Sequence, residues 1–171
     1  MDDYEADDVI ATFATREKGP IRIATGDRDL FQLVDEKRDV KVAYLAKGIS
    51  NHDLVNHSWI EKKYEIPGER YALFAMIRGD ASDGLPGIKG IGEKGAAEIA
   101  KNYSSMAELV EAAKADDPKL SPNHRKKILA DLDYASVADR LVQCARDVNL
   151  PEIDLTIPNS AKNAKYLETM K

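Results

Sequence analysis

Cysteine is almost missing from this sequence: Cys144 is the only one, and a single thiol closes no internal disulfide. That suits a reducing compartment, and the place of Cys144 in an amphipathic stretch, 137–146, marks it as a small core side chain. Long apolar runs are absent too, and no stretch reaches the length needed to span a bilayer. The basic and apolar regions of a secretory signal are lacking, because Met1 is followed directly by acids. No internal repeat is visible. Nor is there the excess of positive charge that usually marks a nucleic-acid binder, for the net charge is −5. What is present is a chain of 171 residues with an ordinary hydrophobic content of 43%, enough for one sizeable core or for one and a half small units.

The distribution of charge says more than its sum. Residues 1–30 hold eight acids against four bases, so the remainder carries only −1. Local basic spots stand at Lys89, Lys94 and the run Arg125-Lys126-Lys127. Acids in one place can hold cations, and bases elsewhere can hold the phosphates on which those cations act.

Periodicity and punctuation give a coarse layout. Residues 6–18 read as a helix ended by Gly19-Pro20, and 21–24 as a short buried strand followed by a turn. Residues 29–34 read as a short helix. The segment 40–45, Lys47-Gly48 and Ile49-Ser50 suggest a hairpin. Helices are expected at 56–64 and 69–78, and, after a glycine-rich segment, at 93–102, 105–113 (capped by Ser104 or Ser105), 122–132 and 135–146. Residues 148–150 read as a strand, and the chain from 151 onward as irregular. Strand–helix alternation before residue 50 followed by helices alone predicts an α/β part and then an all-α part.

Four segments can carry chemistry. In Glu5-Ala6-Asp7-Asp8 the first and third residues point the same way if the chain is still extended there, and so could share a site. Acids also simply favour a helix N-terminus. Asp27 and Asp29 repeat the two-residue spacing just after an apolar strand, where α/β sheets form their ligand crevice and carboxylates can hold a hard cation. A plain turn would use the same residues. Asp80 and Asp83 are candidates to complete the same site, or loop acids bonded to local backbone. Between 79 and 94, five of sixteen residues are glycine, yet apolar residues recur among them, as in a tight turn whose backbone must come close to something. Gly90 and Gly92 remove side chains where a helix begins, so backbone N–H groups could meet a phosphate, with Lys89 and Lys94 adding charge. A helix–turn–helix corner needing glycine only for packing is the competing reading.

Taken together, Tyr4-Glu5-Ala6-Asp7-Asp8-Val9-Ile10-Ala11, Thr25-Gly26-Asp27-Arg28-Asp29-Leu30 and the run from Gly79 to Ile88 resemble the bacterial 5′-3′ exonuclease and flap endonuclease family. That family includes the 5′ nuclease domain of DNA polymerase I and its stand-alone relatives. The resemblance runs from Tyr4 to about Leu150, with Gly84 standing where the family usually has Asn. It implies a partial PIN-like parallel sheet over 1–78, a helix-3-turn-helix (helix-hairpin-helix-like) module over 79–150, and an extension over 151–171. It implies metal-binding, catalytic carboxylates at Glu5, Asp7, Asp27, Asp29 and Asp83, with Asp8 and Asp80 as additional acids of the bacterial branch. It further implies two divalent ions (Mg2+ or Mn2+), K+ held by carbonyls of the turn from Ile88 through Ile91 to Gly92, and DNA contacts from Lys89, Gly90, Gly92 and Lys94. The expected activity is metal-dependent 5′-3′ exonuclease or 5′ flap endonuclease action on DNA in replication and repair, in the cytoplasm at the nucleoid, with a DNA polymerase in cis or in trans. The alternative is a catalytically incomplete DNA-binding module. A PIN-type ribonuclease fits less well, because a helix-hairpin-helix grips duplex DNA.

Family members carry a long segment ahead of the first motif, with the first central strand, further aspartates and a basic helical region. The chain is therefore expected to represent the C-terminal part of such a nuclease. Ile21, Ile23 and Val42 are expected to lack packing neighbours, leaving the sheet poorly covered.

Overall fold

The computed structural model describes residues 4–81 and 84–152. Helix α1 (Ala6–Arg16) is followed by β1 (Ile21–Thr25), a 3-10 helix (Asp29–Leu33), β2 (Val40–Tyr44), a second 3-10 turn (Ile49–Asn51) and β3 (Asp53–Val55). Among the described residues, helices follow: α2 (His57–Tyr64), a 3-10 turn (Gly68–Arg70), α3 (Tyr71–Arg78), α4 (Glu93–Ala100), α5 (Met106–Lys114), α6 (Pro122–Leu129) and α7 (Leu132–Val142). No described helix is long and apolar enough to cross a membrane.

The three strands lie in the order β1-β2-β3. β1 and β2 run parallel, with Ile23 opposite Val42, and β3 joins antiparallel, with Val55 opposite the same Val42. The β2 hairpin therefore closes on Asp53–Val55. Ile49 and Ser50, expected as its return arm, lie in the intervening 3-10 turn, which follows Gly48 at φ 87°. Ile49 is exposed there, so no burial holds it in a ladder. The expected strand at 148–150 is irregular chain. Its buried Val148 N–H donates instead to the Thr12 hydroxyl (3.2 Å), pinning the segment to α1.

The sheet is better covered than its short length suggests. Val42 is fully buried and Ile23 nearly so; only Ile21 is half-buried. The cover comes from the 3-10 helix, whose Leu30, Phe31 and Leu33 are all buried, and from α3 behind it. Phe31 meets Tyr44 of β2 edge-on at 5.1 Å, Trp59 at 5.5 Å and Tyr71 at 5.3 Å. Tyr71 continues to Tyr64 and Phe74. Edge-to-face pairs of this kind add to plain area burial. What stays open is the outer side of β1, where Ile10, Phe13, Pro20 and Ile21 help to line a groove of about 450 Å3.

Helix α3 is apolar all round: Tyr71, Leu73, Phe74, Ala75, Met76 and Ile77 are buried. It packs on the 3-10 helix, α4 and α7. Local signals set the other helices. Asn56 caps α2 by accepting from the Trp59 N–H, Ser105 caps α5, and Ser121 caps α6 ahead of Pro122 at its first position. Ser104 is therefore not the cap; its own N–H and hydroxyl donate to Glu108. α7 begins before residue 135 and stops at Val142. Cys144 thus lies past its end, half-buried against the core.

The last turn of a helix leaves carbonyls without intrahelical donors. The Met76 carbonyl of α3 receives instead the buried Tyr134 hydroxyl of α7 at 2.7 Å. Tyr134→Phe is expected to lower stability by about 1–3 kcal/mol, since that carbonyl stays buried without its donor. Chemical denaturation of the two proteins checks it, and an unchanged midpoint would remove the bond from the account.

Candidate active site and nucleic-acid interface

Glu5 precedes α1 with extended backbone (φ −88°, ψ 168°), and the helix starts at the next residue. The chain thus turns from strand-like to helical between Glu5 and Asp7, as the motif required. β1 ends at Thr25, whose hydroxyl accepts from the Asp27 N–H (3.0 Å). Asp27 in turn accepts from the Asp29 N–H (2.9 Å) through Oδ1. This tight turn lifts both acids off the C-terminal end of the parallel strand.

The two motifs come together. Glu5, Asp7, Asp8 and Asp29 line one crevice of about 300 Å3 together with Arg140 and Cys144. Burial raises the Asp7 carboxyl above the usual range, and the charges of Asp27, Glu5 and Asp8 raise it further. The Cys144 thiol is pushed up to about 12, first by burial and then by Asp7 and Asp8. That makes it a poor nucleophile. Among the described residues, no three His, Cys, Asp or Glu side chains stand close enough to share one metal ion. Asp83 lies outside the described residues.

Asp8 and Asp80 are differently engaged. Asp8 Oδ1 accepts from the Ala145 N–H (2.7 Å) and Oδ2 from the Glu5 N–H (3.0 Å), so this side chain staples α1 to the segment after α7. Asp80 Oδ2 lies 3.3 Å from both Arg28 and Arg78. Arg28 sits between Asp27 and Asp29, so the pair ties the turn after β1 to the loop after α3. Gly79 and Gly87 make that loop possible: a Cβ on Gly79 would stand 2.5 Å from the Gly87 nitrogen, at φ 72°. The close backbone approach read from the glycines is here the loop closing on itself, with Asp80 and Leu85 exchanging both hydrogen bonds.

The second expected site is a turn between α3 and α4. Ile88 and Ile91 point inward, 1% and 5% exposed. Lys89, Gly90, Gly92 and Lys94 are exposed. Gly90 has φ 82°, a backbone state that favours glycine, and a Cβ on Gly92 would meet only open space. The Ile88 carbonyl accepts from the Ile91 N–H at 3.0 Å. The N–H groups of Gly90 and Gly92 have no acceptor among the described residues. Gly92 is the N-cap of α4, so its N–H lies at the positive end of the helix.

Sequence reasoning did not assign Arg28, Arg78, Arg140, Lys127 or Asp131. Arg28 was within a quoted motif, and Lys127 within the basic run. Arg140 and Asp131 carry no local signal, because only packing brings α7 beside the acids and the hairpin.

The raised Asp7 carboxyl means that the folded state holds its proton more tightly than the unfolded chain. Its ionisation therefore costs stability, and the cost fades as pH falls through the folded-state value. Asp7→Asn is expected to raise the melting temperature at pH 7, with the gain shrinking as pH falls through the folded-state value. Asp8→Ala, which strands two N–H groups, is expected to cost about 1–3 kcal/mol. Thermal unfolding of the three proteins from pH 7 downward checks both, and destabilisation by Asp7→Asn would contradict the electrostatics.

Comparison with known proteins places this geometry. The family model described as "5'-3' exonuclease, N-terminal resolvase-like domain" matches residues 1–65, and "5'-3' exonuclease, C-terminal SAM fold" matches 66–163. A 5'-3' exonuclease of Streptomyces coelicolor is 44% identical over 169 residues, 98% of this chain and 56% of that protein. A 5'-3' exonuclease of Mycobacterium tuberculosis is 40% identical over 150 residues, 84% of this chain and 47% of that protein. The thermostable DNA polymerase I of Thermus thermophilus is 39% identical over 155 residues, 89% of this chain and 17% of that protein. The chain thus spans about half the length, or less, of the curated relatives it matches. A T5 5'-exonuclease structure with bound zinc aligns at a TM-score of 0.65 and 16% identity, covering 83% of this chain and 51% of that one. A T5 flap endonuclease complex with DNA and metal ions aligns at 0.64 and 16%, covering 83% of this chain and 50% of that one. The fold agrees with both, and on its motifs, its two-part architecture and these matches the chain belongs to the 5′-3′ exonuclease family.

Proposed function

We propose that this chain carries part of the metal-dependent catalytic site, and the duplex grip, of a 5′-3′ exonuclease or 5′ flap endonuclease acting on DNA in replication and repair, in the cytoplasm at the nucleoid. The observation that carries the reading is the gathering of Glu5, Asp7, Asp8 and Asp29 around one crevice with Asp27 acting on Asp7. Clustering like charges is costly unless a cation compensates it. Residues 1–78 supply this face of the nuclease part, 79–150 the DNA-gripping module, and 151–171 an extension.

Glu5, Asp7, Asp27, Asp29 and Asp83 would hold two divalent ions, Mg2+ or Mn2+, with Asp8 and Asp80 as further acids. Oxygen donors beside a strand end suit such hard cations. Bound ions supply an activated water and charge stabilisation to phosphodiester hydrolysis. The chain's own groups position them: the Thr25–Asp27–Asp29 hydrogen bonds fix the turn, and Arg28 and Arg78 hold the neighbouring loop. At the hairpin, Ile88 and Ile91 would offer carbonyl lone pairs to K+. Lys89, Gly90, Gly92 and Lys94 would meet backbone phosphates, so that choice follows the structure (a 5′ flap, nick or free 5′ end) and not the base sequence. Relatives named DNA polymerase I support a polymerase partner, in cis or in trans. The T5 structures with metal ions, and with DNA, support the cofactors and the substrate class.

A second reading, a catalytically incomplete DNA-binding module, is favoured by one observation: both Asp8 oxygens accept backbone N–H groups and Asp80 faces two guanidinium groups. A labelled 5′-flap duplex, with and without Mg2+, separates the readings when cleavage and band shift are followed on the same sample. Cleavage is expected to be metal-dependent. Asp27→Ala is expected to abolish it while leaving the band shift within about twofold. Binding without cleavage would leave the second reading standing. Gly92→Val is expected to weaken every duplex alike, and Lys94→Ala to weaken binding less and lower its salt dependence by about one phosphate contact. Unchanged affinity in Gly92→Val would make the hairpin a packing corner.

A further inference from the structure

The tip of the hairpin is held from outside by two opposite charges. The Lys89 N–H donates to Asp131 Oδ2 at 2.8 Å, and the Gly90 carbonyl accepts from Lys127 Nζ at 2.6 Å. Both partners come from the junction of α6 and α7. Asp131 is the N-cap of α7 but gives that helix no side-chain hydrogen bond, and its own N–H is held by the Ile128 carbonyl (3.1 Å). Lys127 lies one turn earlier, with its Cε 3.4 Å from where a Cβ on Gly90 would stand. His124 of the same helix stands 3.0 Å from the Cβ position of Gly95 in α4.

The chemistry of the two bonds follows from which peptide groups they hold. The Lys89 N–H belongs to the peptide between Ile88 and Lys89. The Gly90 carbonyl belongs to the peptide between Gly90 and Ile91. The peptide unit between these two carries the Gly90 N–H. Fixing both neighbours fixes how that N–H is aimed, at a glycine whose backbone could otherwise turn over freely. Each bond has one charged partner, which roughly doubles its strength over a neutral one. The two charges are opposite, so the pair adds no net charge to the face met by an approaching polyanion.

We propose that Asp131 and Lys127 are positioning residues that preset the hairpin N–H groups for a DNA phosphodiester. This deepens the reading of the hairpin as the duplex grip and rests on it. A carboxylate within a phosphate-binding face then strengthens binding, because less of the tip remains to be ordered when the phosphate arrives. A view from charge alone gives the opposite sign, since removing an acid next to DNA relieves repulsion.

The test uses the full chain and a plain labelled duplex, with affinity measured against salt. Asp131→Ala is expected to weaken binding by about tenfold with an unchanged salt slope, as the loss of one charge-assisted hydrogen bond of about 1.4 kcal/mol implies. Asp131→Asn keeps an oxygen for the Lys89 N–H and is expected to bind nearly as the parent does. Stronger binding in both variants would overturn the proposal in favour of simple repulsion. Amide exchange gives a readout free of DNA: the Lys89 N–H is expected to be protected in the parent and in Asp131→Asn, and to exchange at least tenfold faster in Asp131→Ala. Rapid exchange in the parent would overturn the proposal even if a variant failed to fold. Lys127→Met keeps the stem on Gly90 and is expected to weaken binding without changing the slope; a slope lower by about one would make Lys127 a direct phosphate contact instead. The two levels fail separately. No loss in Gly92→Val removes the grip itself, whereas a loss there with none in Asp131→Ala removes only the positioning pair.

Discussion

The burial of α3 on every side is the constraint on which the rest depends. A helix with no polar face has to be enclosed, and the enclosing elements are those that carry the chemistry. The 3-10 helix on one side begins at Asp29, and α4 on another begins just past Gly92. α7 closes a third side and brings Arg140 to the acidic crevice and Asp131 to the hairpin. At the C-terminal end of α3, carbonyls with no helical donor recruit the hairpin and α7 directly: Ile77 accepts from the Ile88 N–H, and Met76 from Tyr134. The acidic crevice, through the 3-10 helix, and the hairpin turn are thus both attached to α3.

The acids of these motifs do two kinds of work. Asp8 and Asp80 each face donors, two backbone N–H groups for one and two guanidinium groups for the other. Such carboxylates hold elements together. Asp7 is half-buried with its neighbours' negative charge directed at it, an arrangement that weakens the fold when no cation is present. Adjacent residues in one motif therefore differ in role. The difference comes from α7 and the segment after it, which give Asp8 the Ala145 N–H and leave Asp7 facing Asp27.

Charge is also sorted by region. Lys127 and Asp131 are opposite in charge, while Lys89 and Lys94 stay exposed beside Gly90 and Gly92. A mildly acidic chain can still present exposed lysines beside a backbone turn, because net charge is a sum over the whole chain whereas side chains are placed region by region. The absence of a basic overall charge says little about partners when the fold can arrange its charges by region.

Much of this was legible in the sequence, for reasons of short range. Capping residues, the apolar period and Gly-Pro breaks fixed where the helices start and stop to within a few residues, since those preferences act over one turn. The two-residue spacing of Glu5 with Asp7, and its recurrence at Asp27 and Asp29, singled these acids out as candidates for one site. Ile88 and Ile91 turn inward because leaving isoleucine in water is costly. Contacts between residues far apart in the chain were not legible. The return strand at Asp53–Val55, rather than at Ile49, depends on which residue finds burial against Val42. The cover over Val42 depends on Phe31 and the 3-10 helix packing on β2, with α3 behind that helix. The pairing of Asp80 with Arg28, and of the hairpin tip with Lys127 and Asp131, depends on the close fit of helices separated by dozens of residues. Sequence by itself determined which residues could do the chemistry, because side-chain type and local backbone preference are local properties. Tertiary structure alone decided which carboxylates carry load and which are left facing one another, because desolvation and charge coupling are set by neighbours that no local pattern names.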